Sequence, residues 1–329
     1  MKLRTLLLTS LLSLAGLLCA AQAASSAEDW PGTKPLRFEV GSAAGGVLDF
    51  VARELANHLS ASIGVPVVVE NRLGAGGNIA AGVVAKALPD GHTLLFTGSK
   101  QVVNPTLLPN PGFDYERDFT PVSMVVSVKM LLAASPSFPG KTIADVIAMA
   151  KQKPGAVSIA IGAIGTPPHL AAEMLAQYEN INLTFVPYDG VAQTLPDLMA
   201  NRVDLAVGAL STMLPHVRSG ALKALAMIGP QRSALAPDLP TSAEEGFPEI
   251  QIDAWMCILA TGGTPASVVT RLDQEFAKTL ALPEVRDIFT RRGLEIIHLN
   301  PQQLGDFLHS ESTRYAGLLK HSRYQGTSR

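Results

Sequence analysis

Leu36, Phe38 and Val40 alternate with polar neighbours, and Val47, Val51, Leu55 and Leu59 then recur at every fourth position, so the apolar period switches from two to about 3.6 across a run of glycines. The pattern predicts a strand, a turn at Gly41, Gly45 and Gly46, and an amphipathic helix over 49–63 closed by Gly64. Glycines at such a junction let the backbone lie against a ligand, and free N–H groups at a helix start attract an anion. The same arrangement also serves as a plain tight connection. It matches neither G-x-G-x-x-G nor a P-loop, so it points to neither a dinucleotide nor a nucleoside triphosphate.

The apolar pattern continues with a buried strand over 65–70, a second glycine-rich turn over 71–78, a helix over 79–88 and a strand over 93–97. Strand, helix, strand, helix, strand predicts a parallel doubly wound unit whose ligand lies beyond the strands' carboxyl ends, at 41–49, 71–78 and 97–101. Residues 104–121 read as irregular, and the apolar stretch 121–135 as a strand crossing to a second unit. There a helix over 143–153 and a strand over 157–161 lead into Gly162-Ala-Ile-Gly-Thr-Pro-Pro-His-Leu170, with Thr166 at the N-cap and Pro167 at the first helical position. Strands over 183–187, 204–208 and 222–227 and a helix over 192–200 follow, and the apolar run 251–260 is expected to cross back. Helices over 268–280, 284–292 and 301–319 and a strand over 294–298 complete the pattern. The expected division is residues 24–126 with 254–329 as one domain and 127–253 as the other, with a cleft between them that closes by hinge motion.

The N-terminus changes the picture of where this happens. Lys2 and Arg4, the apolar run from Leu6 to Leu18 and Ala21-Gln22-Ala23 form a secretory leader, expected to be cut after about Ala23. Lipidation at Cys19 is the weaker alternative, because Leu18 stands where a small residue is expected. The leader removes two basic and no acidic residues from a chain of formal charge −2, so the mature protein is mildly acidic without a basic patch. That argues against nucleic acid or an anionic membrane as partner. Cys257 then stands alone in the apolar run 254–260, a buried small hydrophobe.

Widely spaced motifs make a more specific pattern: Ala43-Ala44-Gly45-Gly46 with Asp49, Val67-Val68-Val69-Glu70-Asn71-Arg72, Gly74-Ala75-Gly76-Gly77-Asn78, Pro89-Asp90-Gly91-His92-Thr93, Gly165-Thr166-Pro167-Pro168-His169-Leu170, Val186-Pro187-Tyr188, Leu239-Pro240-Thr241, Glu244-Glu245-Gly246 and Trp255. In their order and spacing the chain resembles the Bug family of periplasmic solute receptors, the substrate-binding components of tripartite tricarboxylate transporters. The resemblance implies an α/β, type II periplasmic-binding-protein fold of two doubly wound domains, small carboxylated ligands, and no metal or organic cofactor. It implies a monomer that delivers its ligand to membrane transporter subunits. Carried over by position, the ligand loops fall on Ser42, Ala44, Gly45, Gly46, Val47, Leu48 and Asp49, on Thr97 and Ser99, on Gly162, Ile164, Gly165, Thr166 and His169, and on Tyr188, Asp189 and Gly190. Backbone N–H groups of Gly45, Gly46 and Thr166 are expected to hold one carboxylate, with the Thr166 hydroxyl as a further donor.

This chain departs from the family's pattern in four places. Gly41 and Ser42 replace Pro and an aromatic residue, Val47 and Leu48 replace hydroxyl residues, Asp189 stands where Lys is common, and Gly208 stands where Asp is common. An apolar wall at Val47 and Leu48 beside Asp189 suits an acid with one carboxylate and an apolar or aromatic body, including amino-acid-like ligands; Asp189 should disfavour a second carboxylate.

An enzyme is the competing class, but G-x-S-x-G, S-x-x-K and H-E-x-x-H are all absent. His169 at a helix start favours a structural hydrogen bond over general-base work. Asp49 is open between a cap, paired with Arg53 four residues on, and a ligand contact. Tyr188 is open between stacking on a ligand and packing at the hinge. A receptor that reports to a sensor protein instead of a transporter fits the same residues.

Overall fold

The computed structural model describes residues 30–108, 110–188 and 191–322. The expected leader therefore lies outside the described residues, as do Asp189 and Gly190.

The opening pattern folds as its period predicts. β1 (Leu36–Val40) runs into α1 (Val47–Ile63), whose Val51, Leu55 and Leu59 are fully buried, each worth roughly 2 kcal/mol. Gly64 ends α1 in the left-handed conformation and donates its N–H to Ser60 O. β2 (Val67–Asn71), α2 (Asn78–Ala85) and β3 (Thr93–Gly98) follow, with β2 and β3 parallel to β1 on either side of it. α3 (Lys100–Leu107) occupies part of the stretch expected to be irregular. Its Asn104-Pro105 pair reads as a turn, but Asn104 Nδ2 donates to Gly76 O and Asn78 Oδ1, and these tertiary bonds hold the helix.

The apolar stretch 121–135 is two strands, β4 (Phe119–Val128) and β5 (Met130–Ala134), one in each sheet, separated by Lys129. The second unit continues through α4 (Ile143–Gln152), β6 (Ser158–Ile161), α5 (Pro167–Tyr178), β7 (Thr184–Pro187), α6 (Val191–Met199), β8 (Leu205–Ala209), α7 (Leu210–Arg218) and β9 (Lys223–Met227). α7 was not expected, because Pro215 interrupts its pattern. β10 (Ala254–Thr261) returns to the first sheet, followed by α8 (Ala266–Ala281), α9 (Pro283–Arg291), β11 (Glu295–Leu299) and α10 (Pro301–Leu319).

The six-stranded sheet has the order β11-β4-β10-β3-β1-β2, and the five-stranded sheet the order β7-β6-β8-β5-β9. The parallel, doubly wound expectation holds for β1, β2 and β3, whereas β10 pairs antiparallel with both β3 and β4. One face of the first sheet buries Phe38 and Phe96 under α1 and α8, with Phe276 of α8 packed on Phe38. The core on its other face, under α2, α3 and α10, is continuous with that of the second sheet.

Candidate functional site

In each sheet the strand order reverses beside an inner parallel strand, and a crevice opens at such a point beyond the carboxyl ends. In the first sheet the point lies between β1 and β3, where residues 41–49 and 97–100 emerge; in the second it lies between β6 and β8, where residues 162–166 and the start of α7 emerge. The two turns of the first lobe touch directly, since a Cβ on Gly41 would meet Gly77 Cα at 2.7 Å. The second lobe joins through Gly165: its φ is +78°, and a Cβ there would stand 2.7 Å from Leu107 Cδ1 and 3.0 Å from Val103 Cγ1 of α3.

In the β1–α1 turn, Asp49 is only 3% exposed and faces inward. Its carboxylate accepts from Gly45 N at 2.8 Å, Asn71 Nδ2 at 2.8 Å and Arg53 Nε at 3.0 Å. Burial opposes its ionisation, but the bonds from Arg53, Gly45 and Asn71 outweigh that and hold its pKa below the usual carboxylate range. Asn71 also donates to Ser42 O, so β2 fixes the turn. Asp49 thus organises the loop from behind. Gly45 N–H is spent on Asp49 and Gly46 N–H on Ala43 O, so the two amides expected to hold an anion are engaged. Val47 and Leu48 instead open α1 with N–H groups that no described residue accepts, beside exposed Ala44 and a Val47 side chain that is 54% exposed. The Ser42 hydroxyl is buried without a partner among the described residues. At the end of β3, Thr97 Oγ1 makes a long 3.5 Å contact with Gln101, and Ser99 is buried at the N-cap of α3.

In the second turn, Thr166 stands at the N-cap as expected, but both its N–H and its hydroxyl go to Ala163 O. Pro167 and Pro168 carry no N–H, which further lowers the anion-holding capacity of α5. His169 is fully buried; its Nδ1 accepts from Gly165 N at 3.2 Å, and its Nε2 lies 3.6 Å from Glu173 Oε1. The structural role prevails for His169. Gly162 and Ile164 are half-buried in the turn, with Ile164 packed on the core. The Tyr188 hydroxyl donates to Asp197 at 2.9 Å, so the ring is anchored to its own lobe, and burial together with the Asp197 carboxylate pushes its pKa up.

Two features at the crevice were missed in the sequence. Lys100 follows β3 directly, is half-buried, and has no hydrogen-bond or ion-pair partner among the described residues. α7 starts beyond β8 with Ser211 and Thr212, whose N–H groups no described residue accepts. Gly208, where an acid was expected, leaves room filled by Met213, whose Cε would lie 2.6 Å from a Cβ at that position. Arg53 and Arg72 are both committed, Arg53 to Asp49 and Asn71, and Arg72 to Glu39 and Glu70.

A sequence profile described as "Tripartite tricarboxylate transporter family receptor" matches residues 51–323. The Bordetella pertussis (strain Tohama I) protein BugT is 33% identical over 320 residues, covering 96% of this chain and 98% of its own. The solved periplasmic binding protein BugD is 33% identical with a TM-score of 0.71, covering 88% of this chain and 98% of its own. An R. palustris protein solved with adipate is 32% identical with a TM-score of 0.73, covering 89% and 98%. Two α/β lobes joined by two crossings, with these relatives, make the chain a member of the tripartite tricarboxylate transporter receptor family, a Bug-type solute-binding protein with the periplasmic-binding-protein fold.

Proposed function

We propose that the protein, exported to the periplasm by a leader cut after about Ala23, captures a small carboxylate-bearing metabolite by hinge closure and delivers it unchanged to the membrane subunits of a tripartite tricarboxylate-type transporter. The observation that carries this is the start of α1. Asp49, Arg53 and Asn71 lock the turn from behind, while the amides of Val47 and Leu48 stay free at the positive end of a helix. A carboxylate there takes the place of water on those amides, and the apolar flank of Val47 and Leu48 covers the body of the acid. The relative solved with adipate supports an organic acid as the ligand class. The moving units are the lobe built on the six-stranded sheet and the lobe built on the five-stranded sheet, swinging about Lys129 and the segment before Ala254. The chemistry needs no metal or organic cofactor, and a single chain suffices.

Mass spectrometry of what the protein purified from its host releases on denaturation tests this, with calorimetry against the compounds identified. A released organic acid that rebinds unchanged is the expected result. Conversion of that acid into a product would mean an enzyme, and the absence of any acid that binds would end the proposal.

A further inference from the structure

We propose that the first lobe carries a second binding site, inside the lobe and apart from the crevice. It takes a small neutral molecule with a flat apolar body and one hydrogen-bond acceptor, such as an aromatic ketone, ester or amide. This goes beyond acid capture and stands or falls separately from it.

The site is a cavity of about 250 Å³ between α3 and α10, on the face of the six-stranded sheet that those helices cover. Its floor is Phe119 and Pro121 of β4 with Leu259 of β10, and Val102 of α3 and Leu308 of α10 form its walls. Every residue that lines it belongs to the first lobe. Leu259 pairs with Pro121 on one side and with Leu95 on the other. Leu95 precedes Gly98 by three positions, so this floor lies roughly 10 Å back along β3 from the end that faces the crevice. An apolar cavity of about 150 Å³ holds benzene, so there is room here for a ring with a short substituent.

Gln101 and Gly305 suit this space to an occupant. Gln101, also in the lining, is 6% exposed; its Oε1 meets Thr97 Oγ1 at 3.5 Å, but its Nε2 is buried with no hydrogen-bond partner among the described residues. A buried N–H left unpaired is costly, and an acceptor on a bound molecule would satisfy it. The Tyr115 hydroxyl, from the same lining, is already spent on Asn78 at 2.5 Å. Gly305 lies inside α10, where glycine weakens a helix relative to alanine. No clash requires glycine there, since a Cβ would stand 3.7 Å from Pro121 Cγ, an ordinary contact; the missing side chain leaves the cavity open instead.

The charge of the ligand follows from the same residues. No lysine or arginine lines the cavity, and its exposed rim carries Glu116 with His309 3.7 Å away. An acid moving in would leave water for apolar walls with no lysine or arginine to meet it, so the preferred molecule is neutral. Mostly apolar walls with a convergent polar group are what a small-molecule site needs.

The test is an NMR titration that follows the leucine and valine methyls of the purified protein with three probes of like shape: acetophenone, α-methylstyrene, which lacks the acceptor, and benzoate, which is charged. The proteins are wild type, Gln101→Met, Gly305→Ala and Gly305→Leu, each checked by thermal melting. Acetophenone should shift the Val102, Leu259 and Leu308 methyls saturably and bind about tenfold more tightly than α-methylstyrene, while benzoate leaves those methyls in place. Gln101→Met should bring acetophenone down to the affinity of α-methylstyrene. Gly305→Leu should abolish binding of both, and Gly305→Ala, which favours the helix, should weaken it severalfold. Absence of a saturable shift at these methyls in wild type overturns the site, as does undiminished binding by a folded Gly305→Leu or, should that variant not fold, by Gly305→Ala. Equal affinity for acetophenone and α-methylstyrene, undiminished acetophenone binding by Gln101→Met, or benzoate bound here in preference, overturns the ligand class. None of these outcomes touches acid capture in the crevice, which shows at other methyls.

Discussion

Lys129 Nζ lies 2.6 Å from Asp253 Oδ2, joining the two segments of chain that cross between the sheets. Lys129 sits between β4 and β5, and Asp253 immediately precedes β10. The Lys129 side chain is 8% exposed, and Glu295 lies 3.9 Å away as a second acid. Burial raises the Asp253 pKa, only partly countered by Lys129. Removing the cation leaves two half-covered carboxylates facing each other, so Lys129→Met should cost about 2–3 kcal/mol in urea denaturation. Asp253→Asn should cost less, because Glu295 still faces Lys129. Equal losses would show that the pair does not organise the hinge.

Asp49 sets a pH dependence whose direction is fixed. Its pKa is depressed below 3.8 in the folded protein, so its stabilising bonds are fully present above that value and are lost as pH falls through the lower folded value. Asp49→Asn should be less stable than wild type by about 1–2 kcal/mol at pH 7, with the gap closing in acid. Urea midpoints measured from pH 7 down to pH 3 follow this directly, and a gap that widens in acid would contradict it. Ligand affinity should fall in the variant too, since Gly45 N and Asn71 Nδ2 donate to different oxygens of Asp49 and asparagine keeps only one of the two acceptors.

The first turn was legible because the apolar period changes across a run of glycines, and Gly45 does adopt a φ of +82°. What the pattern did not carry was the fate of individual amides. Gly45 and Gly46 read as free donors until Asp49 and Ala43 are seen to claim them, and that requires the loop's closed shape. α3 and α7 were hidden by Pro105 and Pro215, which break the local signal in helices held by tertiary bonds. Lys100 looked like any surface lysine. Its isolation depends on where every acid ends up, and no spacing along the chain encodes that.

Cys257 is fully buried in β10, and desolvation pushes its thiol far above the ordinary range. The native protein should therefore react with a disulfide reagent such as DTNB at least about a hundredfold more slowly than the urea-unfolded chain. Labelling at comparable rates in both states would place the thiol at an accessible surface. Because Cys257 lies in the apolar core that includes Leu95 and Leu259, Cys257→Ser should also cost stability by burying a hydroxyl there, by about 1–2 kcal/mol.

Gly165 couples the second turn to the first lobe through shape alone. A methyl group there would meet Leu107 Cδ1 at 2.7 Å and Val103 Cγ1 at 3.0 Å, in a backbone conformation at φ +78° that alanine resists. Gly165→Ala should destabilise the protein by about 1–2 kcal/mol from backbone strain and hold the lobes slightly apart by contact. Leu107→Ala in the same chain removes the nearest obstacle but not the strain, so the two effects separate. Small-angle scattering with and without a bound acid should find closure impaired in Gly165→Ala and largely recovered in the double variant, whose melting temperature stays low. If closure is unaffected by Gly165→Ala, the second turn does not ride on α3 when the lobes move.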